Sequence, residues 1–295
     1  MTAKVIALTS VTMIAFAANS LLARAALGEG NIDAASFAVI RVLSGAFALS
    51  LIVAATPSDS SAARGDWLGA LWLFIYMICF AFAYLSLSAG TGALILFGAV
   101  QITMFAAGLR AGESFGPVGW LGLSLAGGGL AYLVSPGVTA PPLTGASLMT
   151  IAGIGWGLYS LRGRGVSNPL RATAANFVRA APLASVAGLP FLGQVHLSVP
   201  GVVLAVTSGA IASGMGYAIW YATLPRLKAT SAATIQLSVP VIAAFGGVAF
   251  LAERITMRLL VASIAVLGGI ALVLTHRAPK QAAAAATAVP DRDDA

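Results

Sequence analysis

Residues 67–109 run for 43 positions, and residues 114–161 for 48, without a single Lys, Arg, Asp or Glu. A soluble domain of this size cannot be built from such stretches, because its surface needs charge at short intervals. The whole chain of 295 residues carries only 16 basic and 9 acidic side chains, or 8%, against roughly 25% in an ordinary soluble domain. Apolar residues make up 59% and mean hydropathy is +0.95. These features exclude a soluble enzyme, a disordered scaffold and a nucleic-acid binder. The net charge of +7 is spread over short loops rather than gathered in a basic stripe. The chain reads as a polytopic, all-α integral membrane protein.

A helix needs about 20 apolar residues to cross the hydrocarbon core. The charge-poor segments give ten such spans, near 5–23, 34–55, two within 67–109, two within 114–161, then 172–192, 199–222, 230–251 and 257–275. Ser88-Ala89-Gly90-Thr91-Gly92 reads as the turn that divides the first long stretch, and Ser135-Pro136-Gly137 with Pro141-Pro142 as the loop that divides the second. The first span has a counterpart deeper in the chain, which argues against a cleaved leader. Residues 278–295 read as a disordered, Ala-rich cytoplasmic tail.

Basic residues orient the chain. With the N-terminus inside, Lys4, Arg64, Arg110, Arg162, Arg164, Arg171, Arg226, Lys228, Arg277, Lys280 and Arg292 fall on the cytoplasmic side. Only Arg24, Arg254 and Arg258 fall outside. Both termini are therefore expected in the cytoplasm, and the location expected is a bacterial inner membrane.

Shifted by 140 positions, the sequence matches itself. Ser20-Leu21 falls on Ser160-Leu161, Arg24 on Arg164, Gly69-Ala70 on Gly209-Ala210, Glu113 on Glu253 and Gly128-Gly129 on Gly268-Gly269, while Arg41 meets Arg179 after a slip of two. Charges are so scarce that the matches among Arg and Glu carry the weight. The expected organisation is a first five-helix repeat over 1–138 and a second over 139–277. An odd number of helices in each half makes the repeats inverted, which is the plan of alternating-access transporters.

Two five-helix halves, each with a Glu after its fourth helix (Gly112-Glu113; Ala252-Glu253) and a Gly-rich fifth helix, resemble the drug/metabolite transporter superfamily. Within it the chain is similar to the ten-helix EamA-type exporters, and most like the bacterial aromatic amino-acid exporters. Trp156-Gly157 and Pro240 fit that pattern, whereas Phe16-Ala17 stands where Trp-Gly is usual and Val100-Gln101 where a proline would sit. The resemblance implies export of amino acids, aromatic and other neutral ones, without a cofactor. The alternative is a broad-specificity drug or small-metabolite exporter. A sugar-phosphate carrier would require Arg41 and Arg179 to face inward. The partners expected are a small-molecule substrate and the lipid bilayer, with no nucleic acid; ten helices make a complete unit, so a monomer is the default and a dimer is left open.

Candidate site residues come from polar and aromatic side chains at helical spacing. They are Asn19 in the first span, Phe80 and Tyr84 in the third, Gln101 in the fourth, Trp156 and Tyr159 in the sixth, Trp220 in the eighth and Gln236 in the ninth. An amide in hydrocarbon must find partners, so it faces protein or a wet cavity. Aromatic faces can stack on a ring or attract a cation. Arg41 and Arg179 are read as snorkelling to an interface, with contact to a substrate carboxylate or a helix-end carbonyl as the alternative. The cavity is thereby expected to hold no fixed charge, which suits a zwitterion. Gly90, Gly92, Pro182, Pro190, Pro225 and Pro240 read as hinges. Cys79 stands alone, and His196 and His276 have no metal-ligand spacing. Nothing resembles a catalytic set.

Overall fold

The structure, a computed structural model, describes residues 2–56, 65–112, 115–163, 166–223, 226–227 and 234–275. Arg64, Glu113, Arg164, Pro225, Lys228 and everything from His276 onward, including the expected tail, lie outside the described residues. So does one member of the Arg24–Arg164 match and one of the Glu113–Glu253 match.

The described residues form ten helical segments: α1 Ala3–Gly28, α2 Ala34–Ala55, α3 Trp67–Ala83, α4 Ala89–Arg110, α5 Pro117–Val134, α6 Leu143–Arg162, α7 Pro169–Gly188 with a 3₁₀ extension to Gln194, α8 Val199–Thr223, α9 Thr234–Leu251 and α10 Met257–Thr275. Eight of them are long and apolar enough to cross a membrane. The shorter α3 has 17 apolar-rich residues, and α6 is not among the eight. Its sequence is rich in Gly, Ser and Thr, and its glycines pack on α3 and α4 while Ile151 and Ile154 stay exposed. Gly153 and Gly157 press on the α4 backbone at Leu96 and Val100, and Gly155 on α3 at Trp72 and Tyr76. Small residues allow this approach, which substitutes for lipid solubility.

Caps end the helices where side-chain acceptors are available. Asp33, Asp66, Ser88, Asn168 and Ser198 each accept the backbone N–H three residues on, at the starts of α2, α3, α4, α7 and α8. Ser88 corrects one expectation. The turn between α3 and α4 occupies residues 84–88, not 88–92, since a serine cap outweighs the turn preference of Gly90 and Gly92. Those glycines lie in the first turn of α4, where Gly90 admits Ala244 of α9 and Gly92 the Tyr84 ring. They are packing contacts rather than hinges.

Asp33 also joins two loops. Its Oδ1 accepts from the Ser36 N–H at 2.8 Å and its Oδ2 from the His196 N–H at 3.1 Å. Burial alone would raise the carboxyl's pKa, but the bonds from Ser36 and His196 outweigh it and hold the group below its ordinary value. The stability it adds is thus fully present above the unfolded carboxyl value near about 4 and is lost as pH falls through the lower folded value. Asp33→Ala is expected to cost about 1–2 kcal/mol at neutral pH. In detergent melts the gap from wild type should close only below about pH 4.

Helix pairing follows a regular pattern. α5 packs on α10, α2 on α7, α4 on α9, α6 against α3 and α4, α1 against α8 and α9, α3 on α7 and α2 on α8. Replacing each helix by the one five places away in order maps this set onto itself: α3–α6 becomes α8–α1, α4–α6 becomes α9–α1, and α3–α7 becomes α8–α2. The outer rim carries large apolar side chains such as Phe47, Phe245, Phe250 and Ile264, all exposed. Polar and aromatic side chains gather inside, between α1, α2, α3, α6, α7 and α8.

Candidate functional site

Trp156, in the middle of α6, is the centre of an aromatic body. Its indole stacks on Tyr217 of α8 at 5.3 Å between ring centroids and an interplanar angle of 19°. Tyr76 of α3 lies at 5.0 Å and Tyr159 at 5.5 Å. Tyr217 continues to Phe16 of α1 at 5.6 Å and to Phe177 of α7 at 6.1 Å. Phe16 reaches Trp220 at 6.0 Å, while Tyr76, Phe80 and Tyr84 form a tilted ladder up α3. Most of these rings are buried, and Trp156 is only half-buried.

Beside the rings runs a polar network. Ser208 and Ser213 of α8 both donate to the Asn19 Oδ1 of α1, at 2.8 and 3.3 Å. Ser213 Oγ in turn accepts from the Arg41 Nη2 at 3.4 Å, and the Tyr76 hydroxyl accepts from the same nitrogen at 3.0 Å. The segment Thr207–Met215, which carries both serines, is π-helical. Such turns are frequent at functional sites. On the far side, the Tyr159 hydroxyl donates to Thr173 at 3.0 Å, and Thr173 to Tyr221 at 3.2 Å.

Arg41 does not snorkel. It is 0% exposed, and its guanidinium lies 4.5 Å from the Phe80 ring centroid and 5.4 Å from that of Tyr76. The reason is local. Ring faces and two hydroxyls draw the head inward from the third turn of α2, and Arg41's own carbonyl is packed against Gly209 of α8. Cation–π contact contributes about 2 kcal/mol when desolvated. Withdrawing an ion from water costs several kcal/mol. Nε and Nη1 find no hydrogen-bond partner, so the charge is incompletely compensated. The expectation of an interior without fixed charge is therefore corrected. Arg179 differs: half-buried, it donates to the Ala175 carbonyl of its own helix at 3.1 Å and lies 6.0 Å from the Trp67 ring.

Six of the eight residues singled out from sequence enter this body: Asn19, Phe80, Tyr84, Trp156, Tyr159 and Trp220. Tyr84 sits at its edge, donating to the Ala89 carbonyl at 3.3 Å across the α3–α4 turn. Gln101 and Gln236 do not join it. Both are half-buried. Helical spacing puts Gln101 three turns beyond Gly90 on the face of α4 that meets Ala244 of α9, and Gln236 about two turns before Ala244. Sequence reasoning missed Tyr76, Tyr217, Ser208 and Ser213, and left Arg41 open between an interface and a substrate carboxylate. Tyr76 stands four residues before Phe80 and Tyr217 three before Trp220, so helical spacing could have found them, whereas a serine among small residues gives no such signal.

A second polar cluster closes one end of the bundle. Glu253, after α9, accepts from the Arg24 Nε at 3.2 Å, and both its oxygens accept the Ala89 N–H at the start of α4, at 2.9 and 3.1 Å. It is thus more than an orienting interface charge. It caps one helix and holds another. Glu253→Ala is expected to lower stability by about 2 kcal/mol, because charge-assisted bonds at a helix N-terminus are lost together. Thermal unfolding in detergent checks this, and the deficit should shrink at high salt.

The described helices enclose an aromatic and polar interior within an apolar bundle. Residues 143–275 match the EamA-like transporter family, a family of membrane transporters rather than enzymes, so the second half of the chain belongs to it. It is 51% identical over 270 residues to protein PA1977 of Pseudomonas aeruginosa (strain PAO1), covering 92% of this chain and 94% of that one. A solved crystal structure is similar in fold, with a TM-score of 0.64 at 18% identity over 91% of this chain and 97% of the other.

Proposed function

We propose that the protein exports amino acids, aromatic and other neutral ones, from the bacterial cytoplasm by alternating access. In this reading the chain is two inverted five-helix halves, residues 1–138 and 139–277, with both termini cytoplasmic. The self-consistent helix pairing and the 140-residue self-match support that arrangement. One observation carries the substrate class: Trp156, half-buried among Tyr76, Tyr159 and Tyr217, lies one residue away from the Asn19–Ser213–Arg41 network. A planar side chain would stack beside Trp156 while its polar end meets the network. Phe80, Tyr84 and Trp220 would shape the walls, and Gln101 and Gln236 would line the approach between α4 and α9.

Among the described residues no Asp or Glu lies within a helix. A proton relay or a site for lipophilic cations would call for one. Movement of substrate down its own gradient fits this better, as does an amino-acid rather than a cationic-drug substrate. Proteoliposomes loaded with labelled phenylalanine, leucine and a lipophilic cation test the reading, with and without a pH gradient. Protein-dependent flux of the amino acids is expected, with little change on imposing the gradient. Flux of the cation alone would rule the reading out.

A further inference from the structure

We infer that Arg41 is an anion subsite, whose guanidinium receives the carboxylate of the transported molecule between α1, α2, α3 and α8. The inference rests on the amino-acid reading above for the identity of that molecule, and on the structure for the site.

The guanidinium is fully buried, and a guanidinium stays charged at any physiological pH. Among the described residues it has no counterion. Four carboxylates are described, and each is engaged elsewhere: Glu29 by Asn31, Asp33 by Ser36 and His196, Asp66 by Gly69 and Arg162, and Glu253 by Arg24 and Ala89. Only Nη2 is hydrogen-bonded, to Tyr76 and Ser213, so Nε and Nη1 are buried donors without acceptors. Donors of this kind in a protein interior call for a charge-bearing acceptor.

The surroundings select the anion. Phe80 and Tyr76 cover the guanidinium face, so an acceptor approaches in its plane. One isolated positive charge matches one negative charge, because Arg179 bonds its own helix. A monoanionic carboxylate therefore fits, and a dianionic phosphate does not. Distance favours an aromatic acid. Tyr76 touches Arg41 through its hydroxyl and lies 5.0 Å from Trp156 through its ring. Here the site is closed to solvent, and the part of α8 that closes it is the π-helical stretch Thr207–Met215.

The test is binding to the full-length protein in detergent, followed by tryptophan fluorescence, with 3-phenylpropionate, 3-phenylpropylamine and phenyl phosphate as probes. Wild type is expected to bind the propionate at least about tenfold more tightly than the amine, and R41Q to lose that preference. If R41Q does not fold, R41K carries the test, since it keeps the charge without the planar fork. A several-fold weaker propionate with an unchanged amine is then the supporting result. No carboxylate preference in wild type overturns the proposal, as does a preference that survives R41Q, or an R41K that binds both probes as wild type does. Tighter binding of phenyl phosphate overturns the assignment to a carboxylate. Carboxylate preference without counterflow of labelled phenylalanine removes the amino-acid reading and leaves the subsite standing.

Discussion

Gly209→Val is expected to leave little folded protein. A Cβ at this position would run into the half-buried Ser44 hydroxyl and the carbonyl of the buried Arg41 on α2. Backbone cannot yield as a flexible side chain can, so the overpacking should cost about 3 kcal/mol or more. The loss would reach the site as well, because the same stretch of α8 carries Ser208 and Ser213. Monodisperse yield and melting temperature in detergent measure it. Gly128→Ala is the control. No atom lies within 4 Å of a Cβ there, so helix propensity alone should leave stability unchanged or raise it by up to about 1 kcal/mol. Equal losses in the two variants would mean that close packing of α2 on α8 does not explain the first.

Trp156→Ala should abolish most transport while leaving the protein folded. The indole is in contact with three tyrosines, and aromatic pairs contribute about 0.5–1.5 kcal/mol each beyond their buried area. A substrate ring that replaces or extends one of these stacks loses about 2–3 kcal/mol with the alanine, which corresponds to roughly 30- to 150-fold in affinity. Trp156→Phe keeps a face and should retain much of the activity. Counterflow of labelled phenylalanine at low substrate concentration distinguishes the two, and flux unchanged in the alanine variant would remove Trp156 from the site.

Much of this molecule could be read from where charge is missing. The bounds of α2 and the start of α3 follow directly from Asp33, Asp66 and the apolar runs behind them, since a carboxylate at a helix start both caps it and ends the lipid-soluble stretch. The α3–α4 turn was misplaced because two glycines suggest a turn more loudly than one serine, while the cap bond from Ser88 decides it. The site divides in the same way. Rings at i and i+4 on α3 identify a common face, so Phe80 and Tyr84 could be found. Arg41 could not, because a lone arginine near the start of a helix has two destinations, and only the partners on α3 and α8 show which it takes. Gln101 was singled out for the cost of burying an amide, yet it lies half-buried on α4 and does not join the aromatic body.

The cluster at Glu253 has a mechanical meaning. One carboxylate neutralises Arg24, accepts the first N–H of α4, and hangs from the loop after α9. Parting these elements at that end must therefore uncover an anion, a cation and a helix terminus in a single event, and each of the three takes up water. The stacked rings around Trp156 hold no such ion pair; the one charge beside them is the buried guanidinium of Arg41. Ionic strength should therefore loosen the Glu253 end of the bundle and leave the stacked interior in place.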